Sequence, residues 1–289
     1  MGGTYLAVDR EIVDMSDAGK NVSEHYTQGD LEQRILSALE EAGKELDSLA
    51  VDDLAPVDEF HIRGRTATEE LAKLAEIEPG QVLLDVGCGL GGTSRYLANT
   101  FGCNAVGVDL TAEYCHVAEK LSARVGLGDR TTFRQGSALD LPFPDAHFDV
   151  VWTEHVQMNI PDKAGFYREL RRVLKPHGRL AFHDIFAGAN EGVHFPVPWA
   201  SDASISYLIS VEELKVLLAE LGLSALRWED KSKASITFFK TAQKRVRTKG
   251  WLPVGLHLLM GDDASVKFGN VLRNLEEGRV QVIQAVMER

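Results

Sequence analysis

The chain has only three cysteines, Cys88, Cys103 and Cys115, in no CxxC spacing. Neither a disulfide framework nor a zinc site is suggested, and a reducing compartment fits. No apolar run reaches the roughly 18 residues of a membrane span, and no charged-then-apolar leader opens the chain, so a cytoplasmic location is the default. Positive charge is scarce too, with 31 Lys and Arg against 43 Asp and Glu and a net charge of −12. Binding a phosphate backbone depends on a basic surface, so the expected partner is a small solute rather than a nucleic acid or a membrane. Repeats and low-complexity tracts are missing. What is there is an ordinary globular composition, 44% hydrophobic and 26% charged over 289 residues, enough for one large domain or a core with a cap.

Hydrophobic spacing organises this length. The first 60 residues are polar and acidic, with Leu31, Ile35, Leu39 and Leu46 roughly on one helical face, and read as a helical lid. A helix is expected over 65–76. Strands follow near 81–86, 104–109, 131–135, 147–153 and 178–185, separated by helices near 91–101, 111–125 and 162–174. Such alternation predicts a parallel sheet covered on both faces, with ligands at the carboxyl ends of its strands. Past the turn at Pro176-His177-Gly178, residues 211–221 read as helix, 224–228 as strand, 232–248 and 263–277 as helices, and 280–287 as a final strand. The residues between the last two strands are too many for a hairpin and are expected to form a cap over the ligand mouth. The domain plan is a lid over 1–64, an α/β core over 65–231, a helical cap over 232–277 and the last core strand in 278–289.

The most telling stretch is Asp85-Val86-Gly87-Cys88-Gly89-Leu90-Gly91-Gly92, after the apolar Val82-Leu83-Leu84 and before a helix start. Strand, glycine loop and helix in one stretch hold a nucleoside cofactor, because Gly87 and Gly89 turn where other residues cannot and let a ligand approach the main chain. Asp109 ends the next apolar run, 22 residues after Gly87, where a carboxylate accepts hydrogen bonds from ribose hydroxyls. Gly87, Gly89 and Gly92 also satisfy GxGxxG, which leaves a nicotinamide oxidoreductase open at this point.

Four blocks together resemble the class I S-adenosylmethionine-dependent methyltransferases: the loop with Asp109, Gly136-Ser137-Ala138-Leu139-Asp140-Leu141-Pro142-Phe143, Phe148-Asp149-Val150-Val151-Trp152, and Arg172-Val173-Leu174-Lys175-Pro176-x-Gly178-Arg179-Leu180. The resemblance implies a seven-stranded, mostly parallel, doubly wound Rossmann-like sheet, S-adenosyl-L-methionine as cofactor, and no metal. His25-Tyr26-Thr27, Phe60-His61-Ile62-Arg63-Gly64 and Arg273-Asn274-Leu275-Glu276-Glu277-Gly278-Arg279 make the chain similar, over about residues 22–287, to the branch that methylates sarcosine, dimethylglycine and phosphoethanolamine. A small soluble acceptor methylated at an amine nitrogen is what that branch implies. Its pattern places Ile62 and Arg63 beside the cofactor's methionine half, Asp85, Gly87 and Gly89 on the loop, Asp109 and Leu110 on the ribose, and Ser137, Ala138 and Leu139 at the adenine, with Thr153 and Glu154 closing the cofactor site at the fourth strand. Tyr26 falls on a lid tyrosine. The chain departs at Asn159, where phosphoethanolamine enzymes carry a histidine that pairs with that tyrosine.

An amine loses a proton before it is methylated, and a His or carboxylate can take it. His155, His183 and Asp184 lie at predicted strand ends, so His155 is expected to do the proton chemistry with Tyr26 as its partner, supported by His183 or Asp184. His61, Gln157 and Asn159 are expected on the substrate. The competing roles are structural: a cap for His155, a satisfied hydrogen bond for His183 and Asp184, packing for Tyr26. Lys240, Lys244, Arg245, Arg247 and Lys249 read as a solvated helix face. Two other functions stay open, methylation at carbon or oxygen of an apolar acceptor, which needs a greasier pocket, and cofactor binding without chemistry.

Overall fold

In the computed structural model the chain is described over residues 17–27 and 29–289. Residues 1–16, to which the expectations of a lid and of no leader extend, lie outside the described residues. Three helices come first, α1 (Asp17–Tyr26), α2 (Leu31–Glu41) and α3 (Val51–Asp58). The amphipathic stretch expected to run on to Leu46 stops at Glu41, because Gly43 takes a φ of 76° that turns the chain out of the helix. Its apolar face is buried all the same. Leu31, Ile35 and Leu39 pack with Leu54 and Val57 of α3 and with Leu90 and Tyr114 beneath them.

The strands β1 (Val82–Val86), β2 (Asn104–Asp109), β3 (Thr131–Gln135), β4 (Phe148–Glu154), β5 (Leu174–Ala187), β6 (Ser224–Asp230) and β7 (Val280–Glu288) form one seven-stranded sheet in the order β3-β2-β1-β4-β5-β7-β6. β7 is antiparallel to both neighbours, while β1 to β5 pair in parallel. Both faces are covered, which is why Leu83, Leu84, Val150, Val151 and Trp152 are apolar without alternation and buried. β5 starts at Leu174, four residues before the expected strand, since Leu174 pairs with Phe148 and the register then slips past Pro176, which has no N–H for the ladder.

Helices α4 (Arg65–Ala75), α5 (Gly92–Phe101), α6 (Ala112–Arg124), α7 (Lys163–Val173) and α8 (Val211–Glu220) flank the sheet. Between β6 and β7 stand α9 (Ser232–Lys249), α10 (His257–Met260) and α11 (Ala264–Glu276). Phe239, Val271, Leu272 and Leu275 of these helices share a core with Ile62, Met158, Ile185 and Trp199. Val86 pairs with Val108 on one side and Thr153 on the other, so the glycine loop, Asp109 and Glu154 leave the sheet along one edge. That edge lies where the strand order reverses, the natural crevice of an open α/β sheet. No helix among the described residues is long and apolar enough to cross a membrane.

Candidate active site

The crevice is a single cavity whose walls come from the strand ends and from the helices above them. On the strand side, Gly87 has a φ of 73° and donates from its N–H to the Val108 carbonyl at 2.7 Å, and a Cβ there would run into Val156. Gly89, with a φ of 52°, faces open space. Its N–H donates to Asp109 Oδ2 at 2.9 Å, and the Thr111 N–H donates to Oδ1 at 2.8 Å. Each Asp109 oxygen keeps accepting capacity toward the cavity that it lines. Leu110, Ser137, Ala138 and Leu139 continue this wall. Asp85 does not. It accepts from Ser94 Oγ at 2.7 Å at the start of α5, and burial pushes its carboxyl up to about 7.

Beneath the loop lies a residue that the sequence pattern did not single out. Arg95 is fully buried and donates to the Leu90 carbonyl at 2.6 Å, to Ala118 O at 3.1 Å, to Ser122 Oγ at 3.0 Å and to Asp58 Oδ1 at 2.7 Å. One guanidinium thus fastens the glycine loop, α6 and the end of α3 together. Its signal was an arginine on the face of an amphipathic helix that otherwise packs inward.

At the middle of the cavity, Glu154 accepts from Trp152 Nε1 at 2.9 Å and Thr93 Oγ1 at 2.9 Å, while its Oε1 has no partner. His61 lines the cavity beside it, 2.9 Å from Glu59 Oε2 and 3.5 Å from Glu154 Oε2. Burial opposes charge on this imidazole, but Glu154 and Glu59 outweigh it and lift the pKa to about 9. His61 is therefore a cation at neutral pH. Thr153 alternates to the far side of the strand and is buried away from the cavity.

The other two histidines serve the backbone. His183 Nε2 donates to the Ile62 carbonyl at 3.0 Å, and His155 Nε2 accepts from the Ile62 N–H at 3.4 Å, with their rings stacked 5.2 Å apart. Burial, then the neighbouring His61, presses His183 down to about 3, and it does not line the cavity. His155 does, yet burial, then His183 and His61, hold it well below its ordinary value, and its bond from Ile62 leaves the proton on Nδ1. It meets the cavity as a neutral donor, not as the base expected of it. Asp184 accepts from the N–H groups of Val156, Gln157 and Ile185, and Gln157 donates from its amide to the Ile185 carbonyl. Both are buried structural pins of the turn after β4. Arg63 also leaves the site, held by Glu70 on α4.

The partner of Tyr26 is Asn159 rather than His155. The Tyr26 hydroxyl donates to Asn159 Oδ1 at 3.1 Å, and Asn159 Nδ2 donates to the carbonyls of Trp199 and Ile205, each at 2.8 Å. Burial raises the Tyr26 pKa, so the phenol stays neutral. Around this pair the wall turns apolar, with Val22, Met158, Ile185, Trp199, Phe239 and Val271. No Lys or Arg is among the described residues that line the cavity. No group of three or more His, Cys, Asp or Glu side chains among the described residues could hold a metal ion.

Comparison with known proteins fits this geometry. Residues 84–182 match the family described as a methyltransferase domain. A tocopherol O-methyltransferase of Arabidopsis thaliana is 41% identical over 117 residues, 40% of this chain and 32% of that protein. A glycine/sarcosine/dimethylglycine N-methyltransferase of Actinopolyspora halophila is 29% identical over 177 residues, 61% of this chain and 31% of that protein. The chain thus spans about a third of the length of these curated relatives. Among solved structures, a geranyl diphosphate C-methyltransferase of Streptomyces coelicolor A3(2), in complex with S-adenosyl-L-homocysteine, superimposes with a TM-score of 0.71 over 95% of this chain and 98% of that one. Its 16% identity shows a shared fold. The three relatives act at oxygen, nitrogen and carbon.

Proposed function

We propose that the chain is an S-adenosylmethionine-dependent methyltransferase of an apolar acceptor, methylated at oxygen or carbon. The observation that carries this reading is the acceptor side of the cavity, apolar and without a Lys or Arg among the described lining residues, while the cationic His61 is already paired with Glu59 and Glu154. Sarcosine and dimethylglycine bring a carboxylate and phosphoethanolamine a phosphate, and a buried anion needs a charged or strongly donating partner. Arg63, the nearest arginine in sequence to the lining residues His61 and Ile62, is engaged by Glu70 and does not line the cavity. The small-amine expectation therefore gives way to the greasier alternative.

The site suits the cofactor. Asp109 offers two oxygens with accepting capacity toward ribose hydroxyls, the open side of Gly89 admits a ligand against the main chain, and Glu154 keeps an unpartnered oxygen in the wall. When bound, S-adenosylmethionine supplies a methyl group activated by its cationic sulfur. The chain's own part is to hold the acceptor aligned and dry, since in-line displacement gains most from positioning. Asn159 is locked by two carbonyls and accepts the hydrogen bond of the Tyr26 hydroxyl, which leaves the phenol oxygen free to accept a hydrogen bond from an acceptor hydroxyl. The test is a panel of acceptors with methyl-labelled cofactor. Prenylated phenols and isoprenoids are expected to be labelled, whereas labelling of sarcosine or phosphoethanolamine alone would restore the amine reading.

A further inference from the structure

The net charge of −12 is unevenly spread. Between Lys231 and Gly261 the chain carries seven Lys and Arg and no Asp or Glu, leaving 24 Lys and Arg against 43 Asp and Glu elsewhere. Lys231 is held by Glu70 and Glu229, and Lys240 by Glu276. The other five, Lys233, Lys244, Arg245, Arg247 and Lys249, are exposed and make no ion pair among the described residues. On α9, Arg245 and Lys249 follow Phe238 at spacings of seven and eleven residues, so they share its flank of the helix. Phe238 is 38% exposed and lines the mouth of the cavity.

Just past the end of α9, Trp251 and Leu252 are 39% and 47% exposed. Trp251 stacks on Phe268 at 5.8 Å, and Phe268 meets Phe239 at 5.7 Å. Phe268 and Phe239 both line the cavity, so exposed apolar surface runs without a break into the acceptor's wall. Among the described residues, acidic side chains border this face at Glu276 on α11 and Asp263 before it, at Glu229 before α9, and at Asp30 and Glu41 across a groove from Trp251.

We infer that the cap surface of α9 and the segment through Leu252 docks on an anionic lipid bilayer, from which the apolar acceptor enters the cavity. The inference rests on the apolar-acceptor reading above. An aromatic ring beside cationic stems is the composition that an interface of headgroups and acyl chains takes up. The same charges on a nucleic acid would leave Trp251, Leu252 and the apolar path into the cavity without a purpose, so the membrane is the better occupant.

The experiment is sedimentation of the full chain with vesicles of phosphatidylcholine, alone or with about a third phosphatidylglycerol. Binding is expected to the anionic vesicles only, and to fade at about 0.5 M salt. Each basic residue near such a surface is worth roughly a fivefold gain in partition, so Lys244→Gln, Arg245→Gln, Arg247→Gln and Lys249→Gln together are expected to lose at least a hundredfold. Cofactor affinity of that variant, read by calorimetry, stays within about twofold because the four side chains are exposed and unpaired. Trp251→Ser with Leu252→Ser is expected to weaken partition at unchanged salt dependence. No binding to anionic vesicles at low salt, or equal binding by the quadruple variant, overturns the inference. So does single-stranded RNA held by the parent as tightly as the vesicles. The acceptor panel, run in detergent solution, tests the apolar-acceptor reading separately.

Discussion

The strand side and the cap side of the cavity are built in opposite ways. The strand side comes from segments that are short and close in sequence, with hydrogen bonds made by backbone groups and one carboxylate. The cap side gathers α1, the turn after β4, the Trp199 loop, α9 and α11, joined by apolar contact and by few polar bonds. A site for a fixed ligand is held by local geometry, while a site for a variable ligand is left to packing that substitutions can reshape.

The strongest way to break the strand side is to remove its buried cation. Arg95→Met should cost about 3–5 kcal/mol in urea unfolding, because Asp58 is left buried without its partner. A loss under about 1 kcal/mol would mean that the loop does not depend on Arg95. Asp109→Ala is next, with about a hundredfold weaker S-adenosylmethionine in calorimetry from the loss of charged hydrogen bonds, and an acceptor KM nearly unchanged. On the cap side, Phe238→Ala should raise the KM of an apolar acceptor about threefold while cofactor affinity holds, since the ring is 38% exposed at the mouth and covers the acceptor only in part. If both affinities fall together, the two sides are not separable.

His61 stands between the two and offers a test by pH. Its pKa is raised from 6.5 to about 9, so charged His61 supports the fold fully below pH 6.5 and that support is lost as pH rises through about 9. Unfolding free energy should decline over that window, and His61→Gln should flatten the decline. An effect as small as that of Phe238→Ala is expected for Asn159→His, which keeps a group able to accept from Tyr26: a few-fold change in kcat, checked against Asn159→Ala, in which the lock on Tyr26 is gone.

The same contrast explains what the sequence revealed. All seven strands were readable, because apolar runs between helices leave one sensible arrangement, and Gly87, Gly89 and Asp109 could be placed by spacing alone. The titratable residues were misjudged where a side chain's direction decided its place. His183 and Asp184 were expected at a strand end, but β5 runs on to Ala187, and one turns to the Ile62 carbonyl and the other to three backbone N–H groups. Arg63 looked like a ligand's partner because nothing in its spacing shows that the side chain turns to Glu70, seven residues on in α4. The apolar wall was invisible for another reason: Phe239, Trp199 and Val271 carry the same pattern whether they cover a core or a substrate.

The cap begins after Asp230 and ends before Val280, and Asp230 and Ile283 are partners across the β6–β7 ladder. A long excursion therefore starts and finishes at almost one point, on the rim where the ligand enters. Exchanging it for a different excursion would leave both strands in register, so chimaeras cut at these two positions should inherit the donor's choice of acceptor on the recipient's cofactor-binding base.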